Sequence, residues 1–236
     1  GGLLNLVATG NQNVLIHGNT TKTLFKSTYA KHTNFGLQKF RIDFQGQRRL
    51  QLNTQTDLIF KVPRYADLLM DIYLVIDLPD IWSPILAPTG SNVGWRPYEF
   101  KWIKNIGTQL IKEVTITIGG RIIQKFSGSY IQNMIERDYN GTKKETFNKM
   151  TGNINELHTP EKYANRNNNY PNAFKTTDNM DIEPSIEEKQ LFIPIHTWFS
   201  LLSTSAIPLV CLQYTELEFT FTFRPLVELF TIKDVI

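Results

Sequence analysis

The chain has 236 residues, of which 41% are hydrophobic and 12% aromatic, and its net charge is +3. A single domain of this size buries about 70% of the surface that its unfolded chain exposes, so a core can form without disulfides. The small, evenly spread charge excludes the concentrated basic face that is typical of nucleic-acid binding. The single cysteine excludes an internal disulfide and a cysteine-rich metal site.

The first segment with a distinct composition is residues 1–22, which we predict to be an N-terminal arm. It has two leading glycines, a short apolar patch and then small and amide residues. Such a terminus is ordered only where something ties it down. Residues 24–40 (LFKSTYAKHTNFGLQKF) then interleave aromatic and basic side chains, which could lie against a sheet or stack bases. Because the chain lacks a concentrated basic face, we favour packing of these rings against a sheet over stacking on nucleic-acid bases.

Strand-like patterns begin at Phe40. Phe40, Ile42 and Phe44 alternate with polar residues, which is the period of a half-buried strand. A second alternating run extends over residues 58–62 and ends before a proline. The denser apolar run 68–78 predicts a strand buried on both faces.

The middle of the chain predicts a hairpin followed by a helix. Residues 111–118 alternate, Gly119 and Gly120 form a two-residue turn signal, and residues 121–126 return as the second strand. Residues 129–138 have apolar side chains at helical spacing, with Ser127 or Ser129 as the N-cap.

Residues 140–188 are rich in asparagine and lack periodicity, so we predict a long polar loop inserted into a domain of residues 23–230. Strands are predicted again at 191–195, 207–212 and 217–223. About eight strand candidates with one clear helix predict an all-β sandwich of two antiparallel sheets. The one cysteine, Cys211, stands in an apolar run and is predicted to be a small buried hydrophobe.

No motif for catalysis or metal binding is present. The histidines lack the spacing of a metal site, and the sequence contains neither a G-x-S-x-G elbow nor a phosphate-binding loop; these histidines are His17, His32, His158 and His196. We therefore predict no catalytic residue, no metal and no cofactor. No apolar run approaches the roughly 20 residues of a transmembrane helix. Asn19 and Asn140 each begin an Asn-x-Thr acceptor pattern and are candidate glycosylation sites.

The four tryptophans, Trp82, Trp95, Trp102 and Trp198, lie in or beside predicted loops. Loops rich in aromatic residues and proline can form the centre of a subunit interface, or can pack over the ends of their own sandwich. The sequence alone does not decide between a subunit interface and packing within the domain. The contact or outward-facing segments that we expect are residues 1–22, 79–97 and 140–188.

Three separated blocks of the chain resemble one family. They are residues 1–18 with FKSTYAKHTNF, then PRYADLLMDIYLVIDLPDIW, and finally IPIHTWFS with IPLVCLQYTELEFTFTFR. In this order the blocks are similar to the major capsid proteins of nucleocytoplasmic large DNA viruses. The virus groups concerned are the mimivirus-like viruses, the phycodnaviruses and the iridoviruses. The resemblance implies an antiparallel eight-stranded jelly roll with long loops and one or two short helices. It further implies that residues 231–236 begin a link to a second jelly roll, so we expect the chain to be part of a longer protein.

The resemblance implies a structural protein and not an enzyme. The expected product is a homotrimer, a pseudo-hexagonal capsomer of an icosahedral shell, located in the virion and assembled in the host cytoplasm. Its expected partners are itself, neighbouring capsomers, minor capsid proteins on the inner face and glycans on outer loops, with no specific nucleic acid. Three alternatives remain: a minor or vertex single-jelly-roll component, a carbohydrate-binding module, and a cupin-type metalloenzyme if His32 and His196 converge.

Overall fold

The computed structural model of the chain describes residues 2–4, 34–44, 46, 49–83, 98–171, 173 and 183–233. The chain divides into two compact units, Gly1–Ile42 and Asp43–Ile236. Within the first unit, residues 34–42 are exposed and contain no regular secondary structure. The predicted arm, apart from residues 2–4, lies outside the described residues.

Strands dominate the described part of the second unit. Ten strands are present there: β1 (Thr56–Lys61), β2 (Leu68–Leu69), β3 (Tyr73–Leu78), β4 (Glu99–Trp102), β5 (Ile111–Ile118), β6 (Arg121–Phe126), β7 (Lys189–Pro194), β8 (Ile207–Pro208), β9 (Leu217–Phe223) and β10 (Phe230–Lys233). One sheet has the order β1-β9-β5-β6, and the remaining strands pair as β3-β7, β4-β10 and β2-β8. Every one of these pairings is antiparallel.

The described helices are short. They are α1 (Ile106–Leu110), α2 (Gly128–Asp138), α3 (Gly141–Thr151) and α4 (Asn155–His158), with 3-10 helices at Pro160–Asn165, Ser203–Ser205, Leu209–Leu212 and Leu226–Glu228. We call the segment 141–165, which carries α3, α4 and the first 3-10 helix, the helical excursion. Ser127 caps α2, because its Oγ accepts a hydrogen bond from the Tyr130 N–H at 3.3 Å, as predicted.

The β5-β6 hairpin confirms its sequence prediction to the residue. Gly119 and Gly120 both have positive φ angles, 57° and 77°. A two-residue turn of this hand matches the twist of the flanking strands, and glycine adopts it without a Cβ clash. Ile123 sits at a register shift, since Ile116 faces Gln124 while Thr117 faces Ile122. This bulge lies on an edge strand of the sheet, where it disturbs the ladder that another chain could extend.

One hydrophobic cluster joins the four-stranded sheet, the β3-β7 pair and the helices. β9 contributes Phe219, Phe221 and Phe223, all buried, while the residues between them are only half-buried. The cluster also includes Leu191 and Ile193 of β7. The core therefore lies on one face of the four-stranded sheet, as the period of two requires.

Three strand predictions need correction, and so does the predicted burial of Cys211. Residues 40–44 form no strand, although their apolar residues alternate. Residues 68–78 form two strands, and β3 is buried on one face only, with Tyr73 and Val75 exposed. Residues 207–212 form a two-residue strand followed by a 3-10 helix. Because that helix turns Leu209 inward and its neighbours outward, Cys211 is exposed instead of buried.

The predicted loop at 140–188 contains the helical excursion, so that part of the prediction is wrong. α3 begins at an asparagine cap, Asn140, and ends at Gly152, whose φ is 78°. Thr231–Lys233 belong to β10, which pairs with β4, and this contradicts a linker that begins at residue 231. The second unit has ten described strands and four described α-helices, where eight strands and one or two helices were predicted.

Candidate interaction surfaces

The outer face of the four-stranded sheet is mostly polar, although Ile59 of β1 and Ile122 of β6 are exposed on it. Thr220 and Thr222 of β9 point away from the buried phenylalanines and are half-buried among their neighbours. Lys125 of β6 forms an ion pair with Glu113 of β5 at 2.8 Å across the same sheet. Exposed pairs of this kind contribute little to stability. This face resembles ordinary solvated surface.

The outer face of the β3-β7 pair is apolar in two of its three cross-strand pairs, and the third is the hydrogen-bonded pair of Asp77 and Gln190. Val75 lies opposite Phe192, and Tyr73 lies opposite Pro194 in the antiparallel register. Tyr73, Val75 and Phe192 are all exposed. The inner residues of the same strands, such as Leu191, are completely buried. The pair thus has one face in the core and a second face that is unusually apolar for a solvated strand.

Two loops of the second unit are tied together. The two-residue strands β2 and β8 pair, so that Leu68 lies opposite Pro208. The Leu209 N–H donates a hydrogen bond to the Asp67 carbonyl at 2.8 Å. The Arg64 guanidinium donates to the carbonyl oxygens of Leu212 and Gln213, the latter at 2.7 Å. These backbone contacts hold residues 64–69 against residues 207–213.

The joined loops expose a group of apolar side chains that we call the loop patch, comprising Tyr65, Leu68, Val210, Cys211 and Tyr214. Tyr214 is 94% exposed and Val210 is 72% exposed. The same loops line an open cleft of about 240 Å³.

The helical excursion is attached to the strands by two partly buried ion pairs. Lys101 of β4 contacts Glu161 at 2.8 Å, and Lys189 of β7 contacts Glu156 at 2.7 Å. Burial raises the pKa of Glu161, but the hydrogen bond from the Lys101 ammonium, a backbone hydrogen bond and the charges of Lys101 and Lys162 together hold this pKa below its usual value. The excursion is thus fixed to the strands.

His196 lies just beyond β7, and its ring meets the Tyr139 ring edge to face at 6.0 Å. Its Nε2 is buried and has no hydrogen-bond partner among the described residues. Burial lowers the pKa of His196, opposed by the carboxylates of Asp71 and Asp138. Burial also lowers the pKa of His158, assisted by the nearby Lys104. Both histidines therefore favour the neutral form more than in water.

The described tryptophans differ in exposure, so some pack within their own domain and another is free to contact a partner. Trp102 is buried, with ring contacts to Phe100 at 5.0 Å and to Phe230 at 6.4 Å, so it packs within its own domain. Trp198 is half-buried against Phe199. Trp82 is exposed, and Trp95 lies outside the described residues.

The sequence-predicted sites are not brought together. Asn19, His17 and His32 lie outside the described residues. Asn140 is exposed and caps α3, its Oδ1 accepting a hydrogen bond from the Lys143 N–H at 3.0 Å. Across the described ranges, no three residues of the His, Cys, Asp and Glu types group as metal ligands would. In the same part of the chain, none of the helices has the length and apolar character needed to cross a bilayer.

The loop patch was not found from the sequence. Reading residues 207–212 as a strand would bury alternate side chains, whereas the 3-10 helix exposes Val210 and Cys211 together. Pro208, directly before that helix, was the available signal, because proline interrupts a strand ladder. Tyr65 follows Pro63 and Arg64, a second break in strand pattern.

Comparison with known proteins defines the class to which this arrangement belongs. The fold is similar to that of the Faustovirus major capsid protein, with a TM-score of 0.61 over 90% of this chain and 46% of that chain, at 12% identity. Capsid protein 1 of Acanthamoeba polyphaga mimivirus is 29% identical over 226 residues, which are 95% of this chain and 34% of that protein. The major capsid protein of Phaeocystis pouchetii virus is 28% identical over 231 residues, or 97% of this chain and 42% of that protein.

The family is defined by a match at residues 23–236 to the profile described as "Major capsid protein N-terminus". The chain belongs to this family. It spans less than half the length of either relative named above. The predicted resemblance to major capsid proteins of large DNA viruses is therefore confirmed.

Proposed function

We propose that the chain is a structural, non-enzymatic subunit of the capsid of a large DNA virus, located in the virion. The observation that carries this proposal is the family match over residues 23–236. Similarity to capsid proteins from mimivirus and Phaeocystis pouchetii virus supports it. In such a protein, function resides in the contact surfaces described above and not in a catalytic residue.

We further propose that the domain is an eight-stranded jelly roll. Two of the ten described strands, β2 and β8, have only two residues each, and eight longer strands remain without them. A four-stranded antiparallel sheet that shares one core with further antiparallel pairs supports this architecture.

The proposal keeps an arm at residues 1–22 and a domain that begins at residue 23 and includes β10. The start of the family match at residue 23 supports this boundary. Three chains would form a pseudo-hexagonal capsomer of an icosahedral shell, contacting neighbouring capsomers and inner minor capsid proteins, with assembly in the host cytoplasm. Asn19 and Asn140 remain candidate glycan acceptors, and the exposure of Asn140 supports its accessibility. Peptide mass spectrometry of virion protein tests both sites.

Sedimentation velocity and electron microscopy of the purified chain over a concentration series test the proposed function. We expect trimers and hexagonal particles or arrays. A chain that stays monomeric at high concentration would contradict the proposal.

A carbohydrate-binding module is the second candidate, because Trp82 is exposed. Specific binding of the monomer on a glycan array, abolished by Trp82→Ala, would favour that function over a capsid role.

A further inference from the structure

An asparagine followed directly by a glycine occurs once in the sequence, at Asn140 and Gly141. Both residues are exposed, and they lie at the start of α3. Because residue 141 has no side chain, none stands between its backbone nitrogen and the amide carbon of the Asn140 side chain. This pair is therefore open to a reaction within the chain that bulkier neighbours hinder at other asparagines.

The Gly141 nitrogen has no helical hydrogen bond to lose in such a reaction. Gly141 is the first residue of α3, and the first N–H groups of a helix have no carbonyl partner within it. In the same turn the Lys143 N–H donates to Asn140 Oδ1 at 3.0 Å, and the Lys144 N–H donates to the Asn140 carbonyl at 2.9 Å. The hydrogen bonds that restrain the pair are thus those of Asn140.

The reaction available to the pair is deamidation. Hydroxide takes the proton of the Gly141 nitrogen, which then attacks Asn140 Cγ. The new N–Cγ bond forms as the Cγ–Nδ2 bond breaks, and the leaving nitrogen takes a proton from water and departs as ammonia. Water then opens the five-membered imide, giving aspartate if it adds at Cγ and isoaspartate if it adds at the backbone carbonyl carbon. Water is the one reactant consumed, and nothing is oxidised or reduced.

The folded chain holds Asn140 in a conformation that opposes this attack. The imide ring requires the Gly141 nitrogen and Asn140 Cβ to be eclipsed about the Cα–C bond, whereas the ψ of 170° keeps them staggered. The cap hydrogen bond also fixes the side-chain carbonyl towards the Lys143 N–H. The reaction in the folded chain therefore waits for the first turn of α3 to open, and helix ends are among the parts of a fold that open most readily.

We propose that Asn140 is a deamidation site and that the N-cap of α3 sets the rate of its conversion. The inference goes beyond the proposed function and does not depend on it. It also differs from glycosylation of the same residue, because a glycan would be attached to the nitrogen atom that deamidation releases.

The two products have different effects on α3. Aspartate is as favourable an N-cap as asparagine, and its charge suits the positive end of the helix dipole. Isoaspartate adds a methylene to the main chain and replaces the carbonyl that receives the Lys144 N–H. Amide hydrogen exchange at Lys143 and Lys144 should therefore quicken in the isoaspartate form and stay unchanged in Asn140→Asp.

Incubation of the purified chain at mildly alkaline pH tests the site, with conversion followed by peptide mass spectrometry that distinguishes aspartate from isoaspartate. In denaturant, Asn140 should convert at least tenfold faster than Asn133, an asparagine followed by Met134. Equal rates at the two asparagines would overturn the assignment.

Gly141→Ala is the matched variant for the attacking nitrogen. Its added Cβ meets nothing within 4 Å, so the fold should be retained, while the methyl group hinders closure of the imide ring. We expect conversion of Asn140 in denaturant to slow at least tenfold. An unchanged rate would overturn attack by the nitrogen of residue 141.

The role of the cap has its own test. The folded parent should convert at least tenfold more slowly than the denatured parent. Lys143→Pro removes the N–H that Asn140 Oδ1 receives, and proline is tolerated in the first turn of a helix, so conversion in the folded chain should quicken. Thr142→Pro is the control, since it places a proline in the same turn and keeps the Lys143 N–H. Equal acceleration by the two prolines, or equal rates in the folded and denatured parent, would overturn control by the cap.

Peptides from virion protein give the outcome in the assembled state. Aspartate or isoaspartate at position 140 would support the inference, and a glycan on Asn140 would overturn it there. Neither result bears on the capsid role, which the oligomer experiments above test separately.

Discussion

The four-stranded sheet and the helical excursion are held in the same domain by different forces. β9 places Phe219, Phe221 and Phe223 on one face of the sheet, with rings stacked at 6.3 and 6.1 Å. The excursion has far fewer apolar anchors, chiefly Phe147 and Leu157, both buried.

Ion pairs supply part of the attachment that the excursion lacks in apolar contacts, since Lys101 and Lys189 reach it from two strands. Hydrophobic burial follows a period that can be read along a strand, whereas an ion pair joins residues distant in sequence. We therefore expect the loss of one buried phenylalanine ring to destabilise the sheet. We expect the loss of one charged partner to destabilise the attachment of the excursion.

The largest expected effect is in the sheet. Phe219→Ala should lower the free energy of unfolding by about 3–5 kcal/mol, because it removes a fully buried ring and leaves a cavity. Chemical denaturation measures this loss. The control is Thr220→Ala on the opposite face of the same strand, with an expected change below about 1 kcal/mol. Equal losses at the two positions would remove the distinction between the two faces.

A second substitution tests the close packing between the excursion and α1. A Cβ added at Gly107 would lie 2.6 Å from the carbonyl oxygen of Thr151, at the end of α3. Since a backbone atom cannot move aside alone, Gly107→Ala should cost about 1–3 kcal/mol in thermal unfolding. Gly141→Ala has nothing within 4 Å of the added Cβ and serves as the control. A stable Gly107→Ala variant would mean that α3 is free to shift.

The third prediction concerns the ion pairs. Lys101→Met leaves the mostly buried Glu161 carboxylate without its counter-ion and should cost about 2 kcal/mol. Amide hydrogen exchange should quicken first in Pro160–Asn165. The double variant Lys101→Met/Glu161→Leu should recover much of the loss, because a hydrophobic pair can replace a buried ion pair.

The control for the ion-pair prediction is Glu145→Gln. It breaks a fully exposed pair with Lys149 and should leave exchange unchanged. If Lys101→Met changed exchange no more than this control, the ion pair would not hold the excursion.

The smallest expected effect is a pH dependence that comes from His196, just beyond β7, and from His158 in the excursion. Burial lowers the pKa of His196, so the unfolded chain takes up a proton there before the folded chain does. Stability should therefore fall as the pH drops below about 6.5, the ordinary value for histidine. His196→Gln should reduce this slope in pH-dependent denaturation, and His158→Gln should reduce what remains. Unchanged slopes in both variants would contradict a role for either histidine.

Local patterns predicted the parts of the fold whose partners are near in sequence. The β5-β6 hairpin needed only two alternating runs and a Gly119-Gly120 turn, and α2 needed its periodicity and the Ser127 cap. α3 was missed because Phe147 gives it little amphipathic pattern. The Asn140 cap and Gly152, twelve residues apart, were the available signal.

Long-range pairing decided the rest. Phe40, Ile42 and Phe44 alternate as the residues of β1 do, yet β1 forms a strand against β9 and residues 40–44 form none. Likewise, the exposed outer face of β3 could not be read from its apolar run, because the run is equally consistent with burial on both faces.

The sequence by itself determined the all-β class and the family, because alternation, turn glycines and three ordered blocks of residues are properties of the chain read in order. Only the tertiary structure decided which apolar residues are left outside the core. Leu209 is buried while Val210 and Cys211, in the same short run, are exposed. The reason is physical: burial depends on which distant strands and loops cover a side chain, and adjacent residues cannot specify that cover.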